Sequence, residues 1–265
     1  MSAPTEKQAL KSALQAVEAW WTDMGVDIPP LPAAPKPKRT STAKSGRYEP
    51  KRPTRPFPAP PPSLDLGEQI AKAEALAKSA PTLDALKGAL ADFDAGVLSD
   101  HARQMVFARG NPDADIMVIG EAPGREEDIQ GKPFVGPAGQ LLDKMFAAID
   151  MAAEALYITN VCNWRPPKNR NPSEEELALC APFITRHMEL IAPKLIVIVG
   201  GVSLQALTGK TGIMKTRGRW QEIVVGGTAV PAMPIYHPAF LLRRPELKRD
   251  AWRDLLAIRE RLDTL

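Results

Sequence analysis

The sequence predicts an α/β protein: a three-layer α/β/α sandwich around a mostly parallel four-stranded sheet, carried behind an N-terminal helix and a disordered linker. Two observations predict it. From Ala114 onward, short apolar runs rich in β-branched residues alternate with longer amphipathic stretches, the texture of a sheet covered by helices on both faces. Before that, twelve of the 27 prolines crowd between Pro29 and Pro62. The same window holds eight basic residues against one acid, Glu49, a net of +7 in a chain whose total is +3. Such a segment has too little apolar surface to repay the entropy of ordering and reads as an extended tether.

The elements follow in order. Residues 1–27 form a first unit. Leu10, Leu14, Val17, Trp20, Trp21 and Met24 recur at three- and four-residue spacing along a helix from Thr5 to Gly25. A lone amphipathic helix must bury its stripe on something: its own C-terminal domain, a second copy, or a protein partner met through Trp20 and Trp21. Residues 28–63 are the linker, either a spacer or an electrostatic tether to nucleic acid. Residues 64–265 are the globular domain. Leu66–Ser79 and Thr82–Phe93 read as a helical pair broken at Ala80-Pro81. Strands are expected at Ile116–Gly120, Leu156–Thr159, Leu195–Val199 and Ala232–Tyr236, with helices at Gln140–Ile149, Ser173–Ile191 and Val202–Leu207. Trp220–Val225 and Thr228–Val230, around Gly226-Gly227, suggest a local hairpin.

Composition excludes several classes. Charge is nearly balanced, 34 basic residues against 31 acidic, which argues against a polyanion-coating protein. Two cysteines cannot build a disulfide scaffold, nor supply the three or four ligands of a usual zinc or iron–sulfur site. The first residues lack the basic-then-apolar pattern of a leader. The longest stretch free of Lys, Arg, Asp and Glu, Ile223–Leu242, is broken by glycines and prolines and would make a poor membrane helix. A soluble, cytoplasmic protein is expected, associated with the nucleoid if it acts on DNA, with no membrane partner.

In sheets of this kind ligands gather beyond the carboxyl ends of the strands. Here those ends carry Gly120-Glu121-Ala122-Pro123-Gly124, then Thr159-Asn160, then Gly200-Gly201-Val202-Ser203, then Tyr236-His237-Pro238-Ala239. Each alone has a plain structural explanation. A glycine turn lets a helix pack closely, and His237 or Phe134 would be ordinary core residues.

Taken together, the run Gly120–Asp143 (GEAPGREEDIQGKPFVGPAGQLLD) with Tyr157–Asn160, Arg165–Arg170 and His237–Leu242 resembles the family 4 uracil-DNA glycosylases over about residues 105–262. The resemblance implies that a flipped uracil stacks on Phe134 and is read by Asn160, in a pocket shaped by Gly120 and Ala122. The Asn160 carboxamide would donate to O4 and accept from N3–H, a polarity that cytosine reverses. It further implies that His237 hydrogen-bonds O2, where negative charge collects as the base leaves. Glu127 would handle the water and the sugar cation, with Glu121 and Asn169 completing the catalytic set. The DNA, single- or double-stranded, would be held by Ser203 with the backbone N–H groups of the Gly200–Ser203 turn and by Lys215, Arg217 and Arg219. Leu241, Leu242 and Arg244 lie where related enzymes push a wedge into the gap. His101 and His187 match nothing catalytic and are expected to be surface or structural residues.

One departure stands out. Most family members hold a four-cysteine iron–sulfur cluster, whereas here only Cys180 fits a ligand position. Trp164 occupies another, the amino-terminal pair falls near Phe93 and Gly96, and Cys162 lies two residues off. No cluster and no other metal or cofactor is therefore expected, with packed apolar side chains in its place. The basic, histidine-bearing insertion of relatives that become covalently trapped on DNA is also missing. The expected function is hydrolytic removal of uracil from DNA. The alternatives are a broader-specificity glycosylase for deaminated or adducted bases, and a non-catalytic binder of abasic sites or flipped bases.

Overall fold

The computed structural model describes residues 65–264. The helix expected over residues 5–25, with its Trp20/Trp21 docking role, and the linker over residues 28–63 lie outside the described residues.

Six strands, β1 (Ala108–Gly110), β2 (Ile116–Gly120), β3 (Leu156–Asn160), β4 (Leu195–Val199), β5 (Gln221–Val225) and β6 (Thr228–Ile235), form one mixed sheet in the order β1-β3-β2-β4-β6-β5. The four expected strands are its parallel centre, with Ile116 opposite both Leu156 and Leu195, and Ile196 opposite Ala232. The expectation of four strands is corrected at both edges. β1 adds antiparallel to β3, pairing Ala108 with Thr159. β5 adds antiparallel to β6 through the Gly226-Gly227 turn, so the expected hairpin and the expected fourth strand share one continuous strand. β1 escapes notice because Ala108-Arg109-Gly110 has no apolar pattern. Its extended form comes from the neighbour it pairs with.

Around the sheet lie ten helices among the described residues: α1 (Leu66–Ser79), α2 (Leu83–Ala91), α3 (Val97–His101), α4 (Arg125–Gln130), α5 (Pro137–Ala147), α6 (Glu174–Ile191), α7 (Gly201–Thr208), α8 (Ile213–Thr216), α9 (Pro238–Arg243) and α10 (Lys248–Leu262). Every residue of β2, β3 and β4 is buried, which is why their sequences are continuous apolar runs. Met117, Ile119, Ile196 and Ile198 point to one face, against Ala73, Leu86 and Phe183 of α1, α2 and α6. Ile116, Val118, Val197 and Val199 point to the other, against Phe146, Leu241 and Leu255 of α5, α9 and α10. The start of α6 is fixed by a capping box: the Ser173 hydroxyl accepts the Glu176 N–H at 3.2 Å, and the Glu176 carboxylate accepts the Ser173 N–H at 2.8 Å.

His187 is enclosed in this core. Its ring stacks on Phe107 at 4.5 Å, and its Nε2 lies 2.7 Å from the Tyr157 hydroxyl. Burial pushes its pKa down to about 3, so it is a neutral, structural histidine; His101 is exposed. Among the described residues no helix is long and apolar enough to cross a membrane.

Candidate active site

The parallel strands deliver their carboxyl ends to one edge of the sheet, and a cavity of about 620 Å³ opens there. Gly120, the last residue of β2, lies opposite Asn160, the last residue of β3. A Cβ on Gly120 would stand under 3.0 Å from both Asn160 Oδ1 and Phe134 Cζ, so glycine is what lets the amide and the ring converge. The ladder continues past the strands: Val161 N–H donates to the Gly120 carbonyl at 2.9 Å and Cys162 N–H to the Glu121 carbonyl at 3.0 Å. That extension aims Glu121 into the cavity wall, where burial raises its carboxyl pKa.

Phe134 sits at φ +53°, a left-handed conformation that costs a bulky residue about 1–3 kcal/mol. Three anchors hold it. Arg109 of β1 donates Nε–H to the Pro133 carbonyl at 2.9 Å and Nη2–H to the Phe134 carbonyl at 3.3 Å, while pairing with Asp143 at 2.5 Å. Glu127 Oε1 accepts the N–H groups of Val135 at 3.0 Å and Gly136 at 2.9 Å. Gly139 lies under the Phe134 carbonyl, where a Cβ would collide with backbone. The ring then faces His237, with centroids 5.8 Å apart and planes 27° from parallel.

His237 is the N-cap of α9, and its Nδ1 accepts the Ala239 N–H at 3.2 Å. With Nδ1 used as an acceptor, the neutral ring carries its proton on Nε2. Burial pushes the pKa down to about 4; the nearby Arg243 charge acts in the same direction and Glu127 against it. At neutral pH the cavity therefore holds an uncharged, oriented N–H donor. Glu127 lines the cavity; its Oε1 fixes the Phe134 turn, and its Oε2 has no hydrogen bond among the described residues. Asn169, at φ +54°, accepts from Arg165 Nε at 2.6 Å, and Arg165 in turn lies 3.6 Å from buried Asp128. Phe134, Asn160, His237, Glu121, Glu127 and Asn169 thus border one cavity, with Ala122 beside them.

The profile of the uracil DNA glycosylase superfamily matches residues 107–256. The chain belongs to this superfamily. It is 42% identical over 156 residues to a type-4 uracil-DNA glycosylase of Archaeoglobus fulgidus, covering 57% of this chain and 78% of that protein. A type-4 uracil-DNA glycosylase of Thermotoga maritima is 40% identical over 158 residues, covering 57% and 79%. A type-5 uracil-DNA glycosylase of Pyrobaculum aerophilum is 27% identical over 145 residues, covering 49% and 63%.

The side chains expected to meet DNA divide sharply in this superfamily member. Lys215 and Arg219 are exposed and Leu242 is 45% exposed. Three expectations are corrected. The Ser203 side chain is fully buried, its hydroxyl donating to the Val199 carbonyl at 2.6 Å, so it does not reach a phosphate. Leu241 is 1% exposed and belongs to the core under α9, so of the two leucines only Leu242 is exposed. Arg217 folds inward, its Nε donating to Asp254 at 2.7 Å and its guanidinium lying 5.3 Å from the Tyr236 ring centroid. Arg244 is exposed but paired with Glu246. Two residues were missed. Arg243, at the end of α9, lines the cavity and was overshadowed by its neighbours. Arg109 was invisible because its contacts lie 24 to 34 positions away.

The iron–sulfur site that the family resemblance implies does not fit the residues here. Phe93 packs against Phe183 at 5.1 Å and Trp164 at 6.4 Å between ring centroids, filling two of the positions expected for ligands. Cys180 and Cys162 are both buried, and the neighbouring Cys180 together with burial raises the Cys162 pKa and favours the unreactive thiol. Two thiols are half of a four-thiolate set.

Proposed function

We propose that the chain removes uracil from DNA by hydrolysing the N-glycosidic bond, and that the cavity described above carries out the chemistry. The single observation that carries this reading is the convergence of Phe134, Asn160, His237 and Glu127 on one cavity in a member of this superfamily. The chain is a uracil-DNA glycosylase, a DNA-repair hydrolase acting on N-glycosyl bonds, in line with its type-4 relatives.

On this reading the steps run as follows. The flipped base enters flat against Phe134, and the Asn160 amide pairs with O4 and N3–H. As the C1′–N1 bond breaks, its electron pair moves onto the pyrimidine and collects at O2, where the neutral His237 Nε2–H donates. A fixed donor stabilises that charge without reorganising. The sugar becomes an oxocarbenium-like cation, stabilised by Glu127, whose Oε2 orients the incoming water and takes its proton. Glu121 shapes the pocket beside the base, and Asn169 borders the same cavity. Arg243, Lys215 and Arg219 meet phosphates, and Leu242 fills the gap left by the flipped nucleotide. The chain works without a metal or cluster: Phe93, Trp164 and Phe183 do the packing around the Arg165–Arg170 loop. Stoichiometric iron in the purified full-length protein would overturn that part.

Single-turnover cleavage of oligonucleotides carrying uracil, hypoxanthine, xanthine, ethenocytosine or an abasic site tests the reading, with Glu127→Gln alongside. Gln keeps the acceptor that holds the Phe134 turn and removes only the charge, so it is a cleaner probe than alanine. Uracil should be excised, and Glu127→Gln should slow it by about 10²-fold or more. Excision in the other lanes would widen the substrate range. Tight binding with no cleaved product in any lane would contradict the enzyme assignment.

A further inference from the structure

A second surface faces the same end of the sheet, outside the cavity. β5 is an edge strand whose first paired residue, Gln221, stands opposite Ala232. Gly218 N–H donates to the Pro234 carbonyl at 3.0 Å, so residues 218–220 continue alongside β6 toward His237. Along β5, Ile223 and Val225 are buried, so Trp220 falls with Glu222 and Val224 on the outward-facing register. Trp220 is 38% exposed. It borders a groove of about 550 Å³ with Lys210, Glu222, Pro231 and Arg261. The Arg261 guanidinium lies 6.0 Å from the ring centroid and holds the indole against α10 on one side.

α8 lies between this groove and the cavity. Ile213 of α8 packs over Gly201, whose backbone lines the cavity, and the exposed Lys215 and Arg219 lead from there to Trp220. Met233 is four residues before His237. At about 3.3 Å per residue plus one strand spacing of about 4.8 Å, Trp220 lies about 14 Å from His237. That is no more than about four nucleotides at the 3.4 Å rise of a stacked strand. An aromatic face flanked by cations is the chemistry of a sequence-tolerant single-strand contact, because every base has a π-face and every step a phosphate. Lys210 and Arg261 outnumber the one acid in the groove, Glu222, and exposed Arg219 precedes Trp220 in the chain.

We propose that Trp220 is a stacking platform for an unpaired base of the target strand, a few nucleotides from the flipped one, with Lys210, Arg219 and Arg261 holding the adjoining phosphates. The proposal rests on the reading of the chain as a DNA glycosylase. It adds a nucleic-acid contact beyond the pocket, and it predicts that single-stranded substrate gains most, since in a duplex the neighbouring bases are already stacked.

The test uses the full-length chain and single-stranded oligonucleotides with a tetrahydrofuran abasic analogue at the target position, which cannot be cleaved. A second baseless residue is placed in turn at each of five positions on either side. Trp220→Ala should weaken binding about tenfold or more, and Trp220→Phe should keep most of it. The Trp220→Ala loss should vanish when the baseless residue occupies one position within four nucleotides of the target, on one side only. The single-turnover rate on a uracil oligonucleotide at saturating enzyme should stay unchanged. Equal binding by Trp220→Ala and wild type, or a loss indifferent to where the baseless residue sits, would overturn the proposal while leaving excision intact. A wild-type chain that neither binds nor excises would instead overturn the glycosylase reading itself.

Discussion

The central strands and the turn that carries Phe134 answer to opposite demands. β2, β3 and β4 are apolar in nearly every residue, buried throughout, and held by a regular parallel ladder. The segment from Pro133 to Gly139 contains a phenylalanine at positive φ, held by an arginine, a glutamate and a glycine from three different elements. The sheet is stable because its local preferences and its packing agree. The turn is held against local preference by contacts made elsewhere, which is what a preorganised site requires. The lesson is that stability and function are stored in separable places in this chain.

The sharpest way to break that comparison is a pair of substitutions. Gly120→Ala puts a methyl between Phe134 and Asn160, both of which can swing aside, so excision should fall about 10²-fold or more while the melting temperature barely moves. Phe146→Ala empties a fully buried site under the sheet and should cost about 3–5 kcal/mol, with the folded fraction still excising at the wild-type rate. If Gly120→Ala unfolds the protein, or Phe146→Ala slows the chemical step, the separation fails.

The same division explains what was legible in the sequence. The centre of the sheet could be read almost to the residue, because strands buried on both faces are continuous apolar runs. Phe134, Asn160 and His237 were legible as a resemblance in ordered motifs. Arg109 was not, since nothing local marks an arginine on a three-residue strand as the holder of a distant turn. Ser203 and Leu241 were misplaced because the rotation of a short helix is decided by what it packs on. Arg217 was read with Lys215 and Arg219 as one basic loop, but Asp254 of α10 draws it inward. α10 itself could have been found, since Ala251, Leu255 and Ile258 keep a helical period and all are buried.

Arg109 gives a smaller, more specific test. Arg109→Ala removes two bonds to the Phe134 turn without touching the base, so it should slow excision about 10- to 100-fold and raise the inhibition constant of free uracil. Added guanidinium ion should restore part of the rate in Arg109→Ala and none in wild type. A loss of stability with no change in uracil inhibition would make Arg109 merely structural.

The mildest test is pH. Burial holds His237 down at about 4 and His187 at about 3, against an ordinary 6.5. Between pH 6.5 and about 4 the unfolded chain therefore binds more protons than the native one. These two groups stabilise fully above pH 6.5, and their contribution is lost as pH falls through that window. Excision should hold level above pH 6.5 and drop only as pH approaches 4, when His237 gains a second proton and Nδ1 can no longer accept from Ala239. A rate falling with a midpoint near 6.5 would mean that His237 is solvated and not the oriented neutral donor described above.

The most direct measurement is single-turnover excision of uracil by wild type and by Asn160→Asp. The carboxylate keeps the shape of the amide but turns a donor toward O4 into a repelling acceptor, so uracil excision should fall about 10⁴-fold. Retention of near-wild-type excision by Asn160→Asp would contradict the account, because the base would then be read by something other than the end of β3.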